Sequence, residues 1–389
     1  MGTMLLIPWF KLDPIDAPLP WLAGALLVGC ALAALNPRWR QQAQSMAGFT
    51  AVASLLFIRM STGGFDALGD LDALKEIVVP IQPFGILVAT GVILGTRLAE
   101  AYAKSLGIDP YHLADFATHA VFTGFVFAML LNAIFYETED FLRFLASPSG
   151  NLKWFGLSSY GGFIGAMVGI YIWRKRRGYP AWPLSDAVAF GFPLGWMFGR
   201  TGCFVVHDHP GKVTDFFLAV DNYYEAGQPR HDLGFYEILY AAVIMGIFLL
   251  IRKKWPVTRD ENGTAKGGRP MGLFVGLMPL LYTPGRFFLD TLRATDLSSA
   301  DKRYLGLTPA QYASIGMLIM AVVLLRRAFT KPEWVIPDAL RPKTVKPDAG
   351  SEPEAKKETD AKPQKQASET TGASKSSYST KRRKKKKKR

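Results

Sequence analysis

Cysteine is nearly missing from this chain of 389 residues: there are two, Cys30 in an apolar run near the N-terminus and Cys203 beside an arginine. Two thiols so differently placed build no disulfide framework, and neither stands at a zinc-finger spacing. Charge is thin as well. Only 20% of residues are charged, against about 25% in an ordinary soluble domain, while 49% are hydrophobic. No internal repeat is visible. The N-terminus lacks the basic region and small-residue cleavage site of a signal peptide, so its apolar run reads as a retained span. A net charge of +14 resembles a nucleic-acid signature, but residues 331–389 hold 18 Lys and Arg against 8 Asp and Glu, so +10 of it belongs to the tail. The basic balance is therefore no argument for specific nucleic-acid binding by the folded body.

What is present is a series of long apolar runs, at residues 18–36, 47–58, 77–96, 114–135, 156–173, 184–206, 234–251, 271–291 and 311–326. About 20 residues of helix cross the hydrocarbon layer of a bilayer. The runs predict an all-α integral membrane protein, a polytopic helical bundle of nine transmembrane helices, or eight if the short run at 47–58 is re-entrant. Basic residues follow every second run: Arg38 and Arg40; Arg97 and Lys104; Arg174, Lys175, Arg176 and Arg177; Arg252, Lys253 and Lys254; Arg326 and Arg327. The intervening loops are acidic or mixed. Basic loops stay in the cytoplasm, which puts the N-terminus in the periplasm and the C-terminal tail inside.

Three regions follow: an extra N-terminal pair of spans at 1–76, a membrane domain at 77–330, and a tail at 331–389 that ends KRRKKKKKR. The tail is too poor in large apolar residues to offset its ordering entropy, which predicts disorder. It is either a solvated, solubilising segment or one drawn to anionic lipid headgroups, at about 1 kcal/mol per basic residue near the surface.

The residues that carry chemistry are the charges inside apolar runs, since an ionisable group at that depth is costly and marks a pathway, a site or a buried partner. Arg200, flanked by Gly199 and Gly202, offers a fixed guanidinium suited to a phosphate, or else a structural ion pair. Arg286, Asp290 and Arg293 stand at i, i+4 and i+7, which predicts one helical face carrying positive, negative and positive charge. Glu237 is another acid at depth. The run Ser158-Ser159-Tyr160-Gly161-Gly162 reads either as helix packing, with Gly161, Gly165 and Gly169 at four-residue spacing, or as backbone amides open to an anionic headgroup. His207-Asp208-His209 could act in proton transfer, cap a loop, or supply part of a zinc site, for which no third ligand is fixed and His231 is too loosely placed.

In order and spacing these pieces resemble the bacterial prolipoprotein diacylglyceryl transferase family, over roughly residues 77–327. SSYGGFIG at 158–165 is similar to the family's S-F-H-G-G-L-I-G; FGRTGCF with Asp208 and Gly211 to G-R-x-G-N-F-x-N-x-E-x-x-G; RHDLGFYE at 230–237 to R-H-P-T-Q-L-Y-E; GRFFLDTLRATD to F-R-x-x-x-E-F-x-R-x-P-D; and GLTPAQYASI to G-L-T-x-G-Q-x-L-S. The resemblance implies an inner-membrane enzyme that moves the diacylglyceryl group of phosphatidylglycerol onto the lipobox cysteine of a prolipoprotein, with no metal or organic cofactor. Its partners are then phosphatidylglycerol, the prolipoprotein signal peptide and membrane lipids.

Carried over by position, Arg200 and Arg286 are the key arginines, Glu237 and Asp290 the supporting acids, Asp208 the signature acid, and Gly161 and Gly162 the headgroup-side glycines. Arg293 and His231 also fall on motif positions. The departures are Tyr160 in place of the family histidine, Cys203 and Val206 in place of two asparagines, and Phe84 in place of a tyrosine. A phenol is a poorer base than imidazole at neutral pH. Proton handling thus passes to His207 or His209, or the substrate thiol needs little help, or the chain is a catalytically silent paralogue that binds phospholipid or lipoprotein precursor. A transporter is the remaining reading of the buried charges, without the repeat that transporters often carry.

Overall fold

The structure is a computed structural model that describes residues 7–8, 10–37, 66–135, 137–146, 156–221, 228–297 and 303–342, with a few positions between 40 and 58. The predicted span at 47–58, apart from those positions, and residues 343–389 of the basic tail lie outside the described residues; residues 331–342, expected to be disordered, instead pack on the bundle, with Trp334, Ile336 and Leu340 buried and Trp334 Nε1 donating to the Arg269 carbonyl at 2.9 Å. The rest is helical, in the order β1 (Ile15–Pro18), α1 (Leu19–Ala34), α2 (Leu71–Glu76), β2 (Val78–Ile81), α3 (Pro83–Ser105), α4 (Pro110–Phe135), α5 (Thr138–Ala146), α6 (Ser159–Arg177), α7 (Trp182–Val206), β3 (Pro210–Val213), β4 (Arg230–Asp232), α8 (Leu233–Lys254), β5 (Val257–Arg259), β6 (Ala265–Gly268), α9 (Leu273–Thr291) and α10 (Pro309–Thr330).

Among the described residues four helices, α3, α4, α8 and α10, are long and apolar enough to cross a membrane. Their outward faces carry large apolar side chains in the open, including Ile93, Phe122, Phe125, Val243, Leu250, Ile319 and Val322. A soluble protein does not leave a belt of that size uncovered, and lipid is the solvent it fits. The chain is a helical membrane protein. The helices α6, α7 and α9, which carry the small and charged residues, pack along α4, α3 and α10 respectively, and α7 also packs on α8.

Local chemistry fixes where these helices start. Ser158 caps α6, Asp232 caps α8 through the Phe235 amide at 2.9 Å, and Thr308 with Gln311 forms a capping box on α10. Each such cap is worth about 1 kcal/mol. Pro83 and Pro309 open α3 and α10, where a missing amide hydrogen costs nothing.

Glycine then decides how closely the helices approach. Along the α3–α7 seam, a methyl group on Gly191 would stand 2.3 Å from the Gly95 carbonyl, and one on Gly91 would stand 2.5 Å from the Gly195 carbonyl. The two backbones therefore touch, as small residues allow in membrane bundles. The same holds for α6 on α4, where a methyl on Gly161 would lie 2.5 Å from Phe127 O and one on Gly165 2.3 Å from Thr123 O. The packing reading of these glycines is the one the fold realises.

The basic helix ends gather at one end of the bundle. Asp115 at the start of α4 accepts from Arg177 Nε at 2.9 Å and Trp173 Nε1 at 2.8 Å. Buried Asp186 accepts the Phe274 amide at 2.9 Å, Arg252 lies over the Tyr102 ring at 5.5 Å, and Arg327 lies over Trp182 at 4.7 Å. From that end α7 runs 25 residues, about 37 Å at the usual helical rise, to the other end. There β3 and β4 pair antiparallel, and the bridges Gly211↔Arg293, Val220↔Arg230 and Ile7↔Val220 extend the layer. A second pairing, β1 with β2, ties the N-terminal segment to the start of α3.

Candidate active site

Four charged side chains from three helices meet at the β3–β4 end of the bundle. Arg200 sits two turns before the end of α7 and is 7% exposed; Glu237, one turn into α8, is 1% exposed; Asp290, in the last turn of α9, is fully buried. Arg200 Nε lies 2.8 Å from Glu237 Oε2, and Arg286 Nη1 lies 3.4 Å from Glu237 Oε1. Arg286 Nη2 lies 3.2 Å from Asp290 Oδ1. One carboxylate thus bridges the two arginines, and Asp290 balances the second positive charge.

Buried charges need this pairing and further hydrogen bonds to be tolerated. Tyr282, four residues before Arg286 on α9, donates to Glu237 Oε2 at 3.0 Å, and Thr308 donates to Asp290 across from the cap of α10. The Arg200 guanidinium lies over the Trp196 ring at 4.7 Å, a cation–π contact that holds its plane. Arg286 Nη1 makes no hydrogen bond among the described residues beyond its longer contact with Glu237. Two guanidinium groups on one end of a bundle, one of them with a donor unspent, are suited to an anion with several oxygens.

The turn after α7 completes the group. His207 ends the helix in the left-handed conformation, at φ 50° and ψ 44°, a position usually given to glycine. Its buried ring lies 2.7 Å from Asp232 Oδ2 through Nδ1 and 2.6 Å from the Phe10 carbonyl through Nε2. Both nitrogens face acceptors, so neither is open to take a proton from a substrate. His209 differs. Its Nδ1 faces the Asp208 carboxylate and its Nε2 lies 3.2 Å from Arg200 Nη1. A carboxylate only accepts and a guanidinium only donates, so the fitting tautomer carries its proton on Nδ1 and a lone pair on Nε2. Burial pushes the Asp208 carboxyl up, but the hydrogen bond from His209 and the Arg200 charge outweigh it and hold the group below the usual carboxylate range.

The remaining predicted residues divide. Gly202 packs against Phe84, where a methyl would meet the ring at 2.9 Å, so the start of α3 lies beside the Arg200 helix, while Gly199 faces open space. Tyr160 stands in the first turn of α6 on the face of Phe163, whose ring meets Trp196 at a centroid distance of 6.1 Å. Two expectations are corrected, for the glycine amides and for Arg293. The amides of Gly161 and Gly162 are not open to a ligand, because Ser158 takes both, through Oγ at 3.4 Å and its carbonyl at 3.0 Å, as a helix cap must. Arg293 is not on the charged face of α9, because the helix ends at Thr291 and the chain turns into the bridge with Gly211. His231 bonds to the Tyr236 hydroxyl at 2.8 Å and packs on Phe216, apart from the arginine group; burial and the Lys212 charge lower its pKa.

Sequence reading missed Asp232, Tyr282, Trp196 and the pairing of Arg230 with Asp296, whose Nη1–Oδ1 distance is 3.0 Å. Asp232 had a signal, an Asp directly before an apolar run, which marks a helix start. As to metals, donor atoms of Cys203, Asp208 and His209 lie within 4.8 Å of one another. Arg200 Nη1 contacts two of these residues, the Cys203 sulfur at 3.7 Å and His209 at 3.2 Å, so a cation there meets a fixed positive charge.

A family model described as prolipoprotein diacylglyceryl transferase matches residues 73–327 of the chain. Among known proteins, the chain is 31% identical over 274 residues to a phosphatidylglycerol--prolipoprotein diacylglyceryl transferase of Bacillus cereus (strain G9842), covering 66% of this chain and 93% of that protein. It is 32% identical over 276 residues to the protein of the same name from Bacillus anthracis, with the same coverage.

Proposed function

We propose, for a chain that belongs to the prolipoprotein diacylglyceryl transferase family, that Arg200 and Arg286 hold the phosphate of phosphatidylglycerol while a prolipoprotein cysteine attacks the glycerol carbon beside it. The chain is a transferase of lipoprotein biogenesis, a multi-pass protein of the bacterial inner membrane. In the reaction a carbon–sulfur bond forms, the carbon–oxygen bond to phosphate breaks, and glycerol phosphate leaves with the bonding electrons. The thiol proton goes to His209 Nε2 once Arg200 Nη1, whose hydrogen bond that lone pair accepts at 3.2 Å, turns from the ring to the phosphate, with Asp208 orienting the ring from behind. Charge gathers on the departing phosphate, which is what fixed guanidinium groups stabilise.

The observation that carries this reading is the shared carboxylate: Glu237 joins both arginines in one buried group at one end of the bundle. The basic helix ends lie at the other end, which supports a periplasmic site. Nine spans, an N-terminal pair at 1–76 with a periplasmic start, and a cytoplasmic tail beyond the packed residues 331–342 that is drawn to anionic headgroups complete the proposal. Tyr160, a phenol, is a poorer proton acceptor than His209 and takes no part in the proton step.

The test is complementation of cells depleted of their own enzyme, with transfer from phosphatidylglycerol to a lipobox peptide by the purified protein. Thioether product that disappears in Arg200→Ala and Arg286→Ala is the expected result. Saturable phosphatidylglycerol binding without product would show a silent binding protein instead.

A further inference from the structure

We propose that the segment before α1 is a working part of the site, in which Phe10 and Leu12 are positioning residues that hold the His209 turn through His207. This rests on the transferase reading for its kinetic consequences, and its geometry stands independently. The segment lies outside the residues matched by the family model, 73–327, so the family pattern does not account for it.

The contacts converge on one turn. The Phe10 carbonyl meets His207 Nε2 at 2.6 Å, the Leu12 amide donates to the Val205 carbonyl at 3.3 Å, and the Phe10 ring stands edge-on to Phe204 at 5.4 Å and to His207 at 5.7 Å. Further out, the Ile7 amide donates to Ala219 O at 2.9 Å and the Ile7 carbonyl accepts from Asp221 N at 2.8 Å. The strap is anchored behind by β1 on β2. Ile7, Phe10 and Leu12 therefore lie across the end of α7 and the loop that follows it.

The physical reason such a strap matters is the backbone of His207. A left-handed residue with a side chain is strained relative to the right-handed form, because its Cβ crowds the following carbonyl oxygen. Relaxing it would continue α7, and each added helical residue turns about 100° around the axis, which would swing Asp208 and His209 away from Arg200. Strain of this kind persists only where the surroundings over-determine it. Asp232 supplies one restraint from the α8 side, and the Phe10 carbonyl supplies the other from the N-terminal side.

The test uses the full chain in nanodiscs, with Phe10→Ala, Leu12→Pro and the conservative Phe10→Tyr. Two readouts are taken: kcat and KM for phosphatidylglycerol, and the ring tautomer of His209 by histidine nitrogen resonance. The expected result is a roughly tenfold lower kcat at unchanged KM in Phe10→Ala and Leu12→Pro, a mixture of His209 tautomers, and wild-type behaviour in Phe10→Tyr. Phe10→Ala removes the ring and leaves the carbonyl, so wild-type kcat and an unchanged His209 signal in a chain lacking residues 1–12, which removes both, would overturn the inference, as would the same result in both Phe10→Ala and Leu12→Pro. If the wild-type chain makes no product yet Phe10→Ala still alters the His209 tautomer, the strap stands and the transferase reading falls.

Discussion

His209 Nε2 lies 3.2 Å from Arg200 Nη1, so the imidazole that can take the substrate proton is bonded directly to the guanidinium that can hold the substrate phosphate. The two chemical tasks of the site meet in one contact. Replacing His209 by Asn removes the proton acceptor and leaves the arginines paired. The expected outcome is a loss of about 10²–10⁴ in kcat, with phosphatidylglycerol binding retained in a lipid-binding assay.

Glu237 is the partner of both arginines, and its removal is a different kind of injury. Glu237→Ala takes from Arg200 the carboxylate it is paired with and leaves Arg286 with Asp290. Breaking a buried pair on one side costs about 3–5 kcal/mol. Thermal unfolding in detergent should fall well below that of the wild type, whereas Gly199→Ala, in open space, should unfold with it.

The α3–α7 seam gives a prediction about position. Gly191→Leu puts a side chain where even a methyl group would be 2.3 Å from the Gly95 carbonyl, so α7 must move off α3. Activity should be lost although no charged group has changed. An active Gly191→Leu enzyme would contradict the seating of Arg200 by this seam.

Acid should loosen the outer layer. The hydrogen bonds from Arg230 hold the Asp296 carboxyl below the usual carboxylate range. A carboxyl lowered in the folded state contributes stability above its unfolded value and loses it as pH falls through its folded value. The pair is therefore intact at neutral pH and is lost only in strong acid. The protection factor of the Lys212 amide against hydrogen exchange, with its bond to Leu292 O at 2.8 Å beside this pair, should fall there and stay constant near neutrality.

Much of the site was legible because charges inside apolar runs have few uses. Arg200, Glu237, Arg286 and Asp290 stand out on that ground alone, and the structure brings all four together. The histidines were not separable by sequence. His207 and His209 share a turn, and what divides them is Asp232 and the carbonyl of Phe10, the latter 197 residues away in the chain. A backbone carbonyl leaves no trace in residue identity. Arg293 failed for a local reason: the i, i+4, i+7 pattern assumes a continuing helix, and α9 stops two residues short of it. The glycines of α6 had two readings because a close helix contact and an anion cradle ask for the same absent side chain, and only the Ser158 cap decides between them.

The bridging position of Glu237 has a consequence for how a lipid headgroup could arrive. In a low-dielectric site two naked guanidinium groups would repel each other, and the empty enzyme would be strained or wet. Glu237 acts as a resident counter-ion, a placeholder for the phosphate. Substrate binding then becomes an exchange of one anion for another around fixed cations, and the resting protein never has to store uncompensated positive charge while it waits for the next lipid.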